Sequence, residues 1–132
     1  MSATTPEEGI RRLLAEYCQL CDDGCFDEWA DLYVEDATFT VMGRTYRSRD
    51  EIRAFMHEAQ PADRRGKHVA INPLIDVAPD GLSATAATDY IFVARTADGL
   101  AVTSAGRYHD RLVRDADRWR FAERRIAFMG DA

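Results

Sequence analysis

From Lys67 to Phe128 the chain reads as one strand after another, and this run constrains the fold more than any other feature. Strands are expected over residues 68–77, 82–95, 100–114 and 118–128, all rich in β-branched or aromatic side chains. Pro79-Asp80-Gly81, Ala97-Asp98-Gly99 and Asp115-Ala116-Asp117 separate them. Such tripeptides reverse a chain tightly, so three consecutive hairpins are expected. A meander of this kind has an apolar face to cover. The segment before Lys67 carries helices that can cover it, which makes the expected class α+β, with three helices packed on one face of an antiparallel sheet.

The first half of the chain has the other period. Thr5 can cap a helix, Pro6 suits its first position and Glu8 completes a capping box. Ile10, Leu13, Leu14, Tyr17, Cys18 and Cys21 then recur at helical spacing, and Gly24 ends the helix near Asp22-Asp23. A second, short helix is expected over residues 26–34, with Phe26, Trp29, Ala30 and Tyr33 on one side. Residues 37–42 alternate as a strand, Gly43-Arg44 turn the chain, and Thr45-Tyr46-Arg47 return it. Ser48-Arg49-Asp50-Glu51 is a second capping box, opening a helix that carries Ile52, Phe55 and Met56 and ends before Pro61. The polar stretch 61–66 is the expected mobile loop. No repeat, linker or low-complexity tract interrupts the 132 residues, so a single domain over 1–132 is expected.

Composition closes off several classes. There are 23 acidic residues against 17 basic ones, a net charge of −6, which argues against non-specific binding to nucleic acid or anionic membranes. No apolar run approaches the roughly 18 residues that cross a bilayer. Met1-Ser2-Ala3-Thr4-Thr5 lacks the basic start and apolar stretch of a signal peptide, so the expected location is the cytoplasm. Three cysteines are an odd number and point away from a disulfide framework. Cys18, Cys21 and Cys25 fall at i, i+3 and i+7 on one helical face. They could be a Cys-x-x-Cys redox or zinc half-site, but no second ligand pair lies nearby, and small buried hydrophobes are the preferred reading. No metal and no cofactor are expected.

Helix geometry separates the two adjacent acids. With Ile10 at zero and ~100° per residue, Leu14 falls at ~40°, Cys18 at ~80° and Asp22 at ~120°, on the flank of the apolar face. Asp23 falls at ~220°, in solvent. Asp22 is therefore the carboxylate expected to be partly buried, where it needs a partner or serves as a cap for the following helix. Among the histidines, His57 sits late in a helix beside Glu58, and His109 lies among charged strand neighbours; both are expected at the surface. His68 opens a strong strand on which His68, Ala70 and Asn72 share one face and Val69 and Ile71 the other. It reads either as a satisfied structural histidine or as a base. Tyr17, on the apolar face of the first helix, and Tyr90 and Tyr108 on strands are each open between core and pocket wall. Lys67, the only lysine, points opposite to His68, which disfavours a Schiff-base role. There is no phosphate-cradling glycine loop, nucleophile elbow, His-Glu-x-x-His or dinucleotide fingerprint.

The order of elements and several motifs resemble the SnoaL-like branch of the nuclear transport factor 2-like superfamily. Carrying the resemblance are Tyr17 and Asp22 in Tyr-x-x-x-x-Asp, the run Phe26-Asp27-Glu28-Trp29-Ala30-Asp31-Leu32-Tyr33 and Asp36-Ala37. Ser48-Arg49-Asp50-Glu51-Ile52, His68-Val69, Gly106-Arg107-Tyr108-His109-Asp110 and Trp119-Arg120-Phe121 extend it, so that it covers about residues 8–128. It implies a cone, in which a strongly curved antiparallel sheet wraps around helices and leaves an apolar pocket in its mouth. It also implies frequent homodimers or higher homo-oligomers through the outer sheet face. Scytalone dehydratase, bile-acid dehydratase and hexachlorocyclohexane dehydrochlorinase in this superfamily use an Asp–His pair. Asp22 and His68 fall where that pair is expected, and Tyr17 matches the tyrosine of the bile-acid enzyme. The chain departs from these relatives elsewhere. Phe92 lies near the position of the second acid of the bile-acid dehydratase, with Asp89 three residues earlier. Cys21 and Val41 align near the water-holding tyrosines of scytalone dehydratase, and Tyr108 near its pocket asparagine.

The resemblance thus implies catalytic Asp22, His68 and Tyr17, with Phe26, Trp29, Phe39, Val41, Phe55, Met56, Tyr90 and Tyr108 walling a pocket for a small, mainly apolar or cyclic substrate. Asp22 would orient His68 as a general base, and Tyr17 would donate to a carbonyl oxygen as an enolate forms. The function expected is a cofactor-independent lyase or isomerase of the dehydratase type. Two alternatives stand beside it: a non-catalytic ligand-binding or assembly subunit, like the small subunits of ring-hydroxylating dioxygenases, and a polyketide cyclase.

Overall fold

A computed structural model describes residues 4–130. Residues 1–3 of the expected leaderless start, and the two ends of the single domain expected over 1–132, lie outside the described residues. Helix α1 spans Pro6–Asp22, with Pro6 in its first turn and the Thr5 hydroxyl accepting from the Glu8 amide at 3.2 Å. Its buried stripe is Ile10, Leu13, Leu14, Tyr17, Cys18 and Cys21, as the spacing predicts. Gly24, at φ +74°, takes the left-handed conformation that turns the chain into α2. Helix α2 covers only Phe26–Ala30, not 26–34, and strand β1 begins at Tyr33, not Ala37. Tertiary pairing overrides the helical pattern here. The Phe121 amide donates to the Leu32 carbonyl at 2.8 Å, and the Arg49 guanidinium donates twice to the Tyr33 carbonyl.

Strand β1 (Tyr33–Val41) turns into β2 (Arg44–Arg47) through Met42 and Gly43, whose φ angles of 51° and 75° are those of a type I′ hairpin. The expected strand residue Met42 is thus a turn residue, one position ahead of the expected Gly43-Arg44. Helix α3 (Arg49–Ala59) starts under the Ser48 hydroxyl, which accepts from the Glu51 amide. The expected loop contains a 3₁₀ turn at Ala62–Arg64 and is tied down where Arg65 Nε donates to the Gln60 carbonyl at 3.1 Å.

Strands β3 (Lys67–Val77), β4 (Ser83–Thr96), β5 (Gly99–Asp115) and β6 (Arg118–Phe128) form the three hairpins. The six-stranded order is β2-β1-β6-β5-β4-β3, antiparallel except for a parallel pairing of β1 with β6. That pairing attaches the first hairpin to the meander and extends one curved sheet. Helix α1 lies against β3 and β6, with its apolar stripe under the inner face. Tyr17, Trp29, Tyr33 and Phe121 pack ring against ring with centroid separations of 5.2–5.8 Å.

One register detail corrects an expectation. Strand β3 bulges between Ile71 and Leu74, where Asn72 has φ 54° and Pro73 has no amide to donate. The bulge reverses which side chains face inward. Ile75 and Val77 join the core, Leu74 is 71% exposed, and Asn72 leaves the face it was expected to share with His68 and Ala70.

Candidate active site

Asp22 closes α1, on the flank of its apolar stripe, and its side chain is only 4% exposed. Packing of α1 on β3 puts its carboxylate against the first turn of that strand. Both carboxylate oxygens accept from the His68 backbone amide at 3.1 Å, and Oδ1 lies 2.6 Å from His68 Nδ1. One carboxylate thus grips the backbone and the ring of the same residue. A carboxylate only accepts, so Nδ1 is the donor in this contact, and in the matching neutral tautomer the lone pair lies on Nε2. The ring, 10% exposed, packs 4.6 Å from Phe92 opposite it in β4 and edge-on to Tyr17 at 6.4 Å.

Tyr17 is fully buried, and burial raises its hydroxyl well above the ordinary tyrosine range, with Arg124 acting in the opposite sense. The phenol therefore stays protonated, as a donor. Burial likewise pushes Cys18 up to about 11 and Cys21 up to about 12, which keeps both as thiols. All three cysteines are free, Cys25 being half-buried. Among the described residues no group of three or more His, Cys, Asp or Glu side chains is arranged to hold a metal.

The eight expected wall residues divide into three groups. Trp29 and Tyr108 touch the Tyr17 ring at 5.4 and 5.7 Å, and Tyr108 stacks on Tyr90 at 4.6 Å. Phe39, Val41 and Phe55 sit with Tyr46 between α3 and the first hairpin, where Phe55 meets Phe39 at 5.7 Å and Tyr46 at 4.2 Å. Phe26, with its face under Arg65 and its ring at 71° to that of His57, opens α2 just past the turn after Asp22; Met56 is buried on α3. All belong to, or pack against, one apolar core. His57 and Lys67 are exposed, and His109 lies on the outer face of the sheet, half-buried. Burial, then the Arg125 and Arg107 charges beside it, lower the His109 pKa.

Sequence reasoning missed the pair at the centre. The Arg124 and Asp110 side chains are 1% and 0% exposed and form a bidentate ion pair at 2.7 and 2.9 Å. The guanidinium carbon lies 3.7 Å from the Tyr108 ring centre, 4.2 Å from Tyr17 and 4.4 Å from Phe121. Burial opposes the charge, but the Asp110 carboxylate, through its charge and hydrogen bonds, together with Tyr17 and Tyr108, holds Arg124 well above its ordinary pKa. Arg124 Nη1 is buried without a hydrogen-bond partner, as are the Tyr33 hydroxyl and Thr88 Oγ1. Asp110 was legible: it shares a strand face with apolar Tyr108 and Leu112.

Chemically, this is an oriented imidazole with a free Nε2, an un-ionised phenol and a fixed cation behind that phenol. The comparisons agree with the architecture. The family described as SnoaL-like domain matches residues 2–125. Rv3472 from Mycobacterium tuberculosis, of unknown function, is 30% identical, with 91% of this chain and 69% of that one covered at a TM-score of 0.83. A nuclear transport factor 2-like protein with a cystatin-like fold from Novosphingobium aromaticivorans is 26% identical over 96% and 83%, with a TM-score of 0.85. A Catenulispora acidiphila protein in complex with S-DNPA is 26% identical over 90% of each chain, with a TM-score of 0.79. No curated protein matches. No helix among the described residues is long and apolar enough to cross a membrane.

Proposed function

The chain belongs to the SnoaL-like domain family, and on that premise we propose that it is a lyase or isomerase of the dehydratase type, acting without a cofactor on a small, mainly apolar or cyclic carbonyl compound. The observation that supports this reading is the 2.6 Å contact between His68 Nδ1 and Asp22 Oδ1 beside a buried tyrosine. His68 Nε2 removes a proton from the carbon next to the carbonyl. Asp22 holds the ring in the tautomer that can accept it, then balances the imidazolium. The Tyr17 hydroxyl donates to the carbonyl oxygen as it gains charge, and Arg124 behind the phenol acts through Tyr17 as a positioning residue that favours that charge. The electron pair then expels the β-hydroxyl, which leaves as water with the proton returned by the His68 imidazolium, or the imidazolium returns that proton to another carbon and the double bond moves. Neither outcome calls on a metal or organic cofactor.

Trp29 and Tyr108 pack on Tyr17, and Tyr90 on Tyr108, and in this reading a flat ring system takes the place of some of these ring contacts. The complex of a 26%-identical relative with S-DNPA supports small-molecule binding on this fold. The same reading takes the chain as a homodimer, or higher homo-oligomer, joined through the outer face of the sheet.

Solvent exchange tests the proton step without knowledge of the product. Wild-type protein is expected to speed deuterium uptake at the carbon next to the carbonyl of 2-tetralone, followed by proton NMR. His68→Ala and Asp22→Asn should lower that rate by about 10²–10⁴-fold. Equal exchange by wild type and both variants would remove the acid/base pair from the mechanism.

A further inference from the structure

The loop before His68 folds back over the turn that follows Asp22, and it carries a cation with no ion-pair partner among the described residues. Arg65 Nε donates to the Gln60 carbonyl at 3.1 Å, which fixes the stem of the side chain. Its guanidinium lies on the Phe26 ring, 5.4 Å from the centroid, and over Gly24, where an added Cβ would collide with Nη1. Gly24 is thus the residue type that lets the guanidinium down on the turn after α1, with Asp22 two residues before Gly24 in the chain and His68 three residues after Arg65. Stacking uses the face of the guanidinium and leaves its in-plane donors free. Of five N–H groups only the one on Nε is spent. Among the described residues no acidic side chain is within ion-pair distance of Arg65, although the chain carries a net charge of −6. The His57 ring meets the same Phe26 ring at 5.6 Å and 71°. Arg64 and Lys67, by contrast, are exposed. A fixed planar fork with open donors matches a two-oxygen anion better than any other ligand chemistry.

We propose that Arg65 receives an anionic oxygen group, carboxylate or phosphate, on an otherwise apolar ring-bearing ligand whose reacting carbon reaches His68. The inference rests on the acid/base reading for the ligand's place in the site, but the binding it requires needs no turnover. The probes are 2-naphthoate, 2-naphthyl phosphate and neutral 2-naphthamide, titrated calorimetrically into the full chain. On wild type, at least one anion is expected to bind about tenfold or more tighter than the amide; the tighter anion identifies the group. Arg65→Gln should erase that preference while leaving naphthamide affinity within about twofold, and Arg65→Lys, which keeps the charge, should retain part of it. His68→Ala should keep the preference intact. Equal binding of all three probes, binding of none, or a preference that survives Arg65→Gln overturns the proposal. An intact anion preference with no deuterium exchange would instead overturn the acid/base reading alone.

Discussion

A guanidinium enclosed by three aromatic faces loses its water, and only the bidentate Asp110 carboxylate makes Arg124 tolerable at the centre of the core. Removing one partner strands the other charge. Arg124→Met alone should therefore cost about 3–5 kcal/mol in urea unfolding. Arg124→Met with Asp110→Leu should recover most of it, because two well-packed apolar groups replace two desolvated ions. A single variant as stable as wild type would show that the pair carries no structural load. The partner of Asp110 was hidden for a residue-scale reason. Arg124 and Arg125 are adjacent and point to opposite faces, and a shift in register between Arg111 and Leu112 decides which one meets Asp110. Helical phase has no such ambiguity over four turns, so the burial of Asp22 and the exposure of Asp23 could be read directly.

At the scale of elements, local signals located the helix starts and the hairpin turns, because caps and turn residues act within a few positions. They failed where a distant strand decided the outcome. Tyr33 and Val34 continue a helical pattern, yet β6 recruits them into β1, and nothing near them encodes a parallel partner almost ninety residues away. The β3 bulge was also unread, although Asn72-Pro73 is a pair well suited to one: asparagine tolerates positive φ and proline withdraws a donor. The start of the same strand offers a test. A Cβ on Gly66 would strike the Val93 carbonyl and come within 3.0 Å of the Phe92 ring, which itself packs on His68. Gly66→Ala should lower stability by about 1–3 kcal/mol in thermal or urea unfolding. It should also speed hydrogen exchange at the His68 amide, whose acceptor is Asp22. Unchanged stability together with full protection of that amide would mean that β3 and β4 do not approach as described.

The outer face of the sheet is where the whole molecule meets its surroundings. Val69 and Ile91 are register partners there, Ala105 follows on β5, and a groove of about 520 Å³ lined by Ile71, Ile91, Arg107 and His109 runs beside them. Val69 is 40% exposed and Leu74 71%, apolar surface that a second copy would remove from water. Two copies related by a two-fold axis would present the same patch to each other, and a stable pair needs about 800 Å² from each. Sedimentation equilibrium at micromolar concentration is expected to give twice 14.9 kDa near pH 7.5. Ile91→Asp, which sets a charge in the middle of the patch, should give the monomer mass with an unchanged circular dichroism spectrum. Acid should act in the same direction. The His109 pKa is lowered by burial and by Arg125 and Arg107, with Asp110 opposing, so the ring takes up a proton less readily here than in water. Its stabilising contribution is therefore present above its unfolded pKa of about 6.5 and is lost as pH falls through the lower folded value. Covering the face adds to that desolvation. Falling pH should therefore favour separation of the copies, and His109→Gln should blunt that response. A single 14.9 kDa species at every pH would leave the outer face as plain surface.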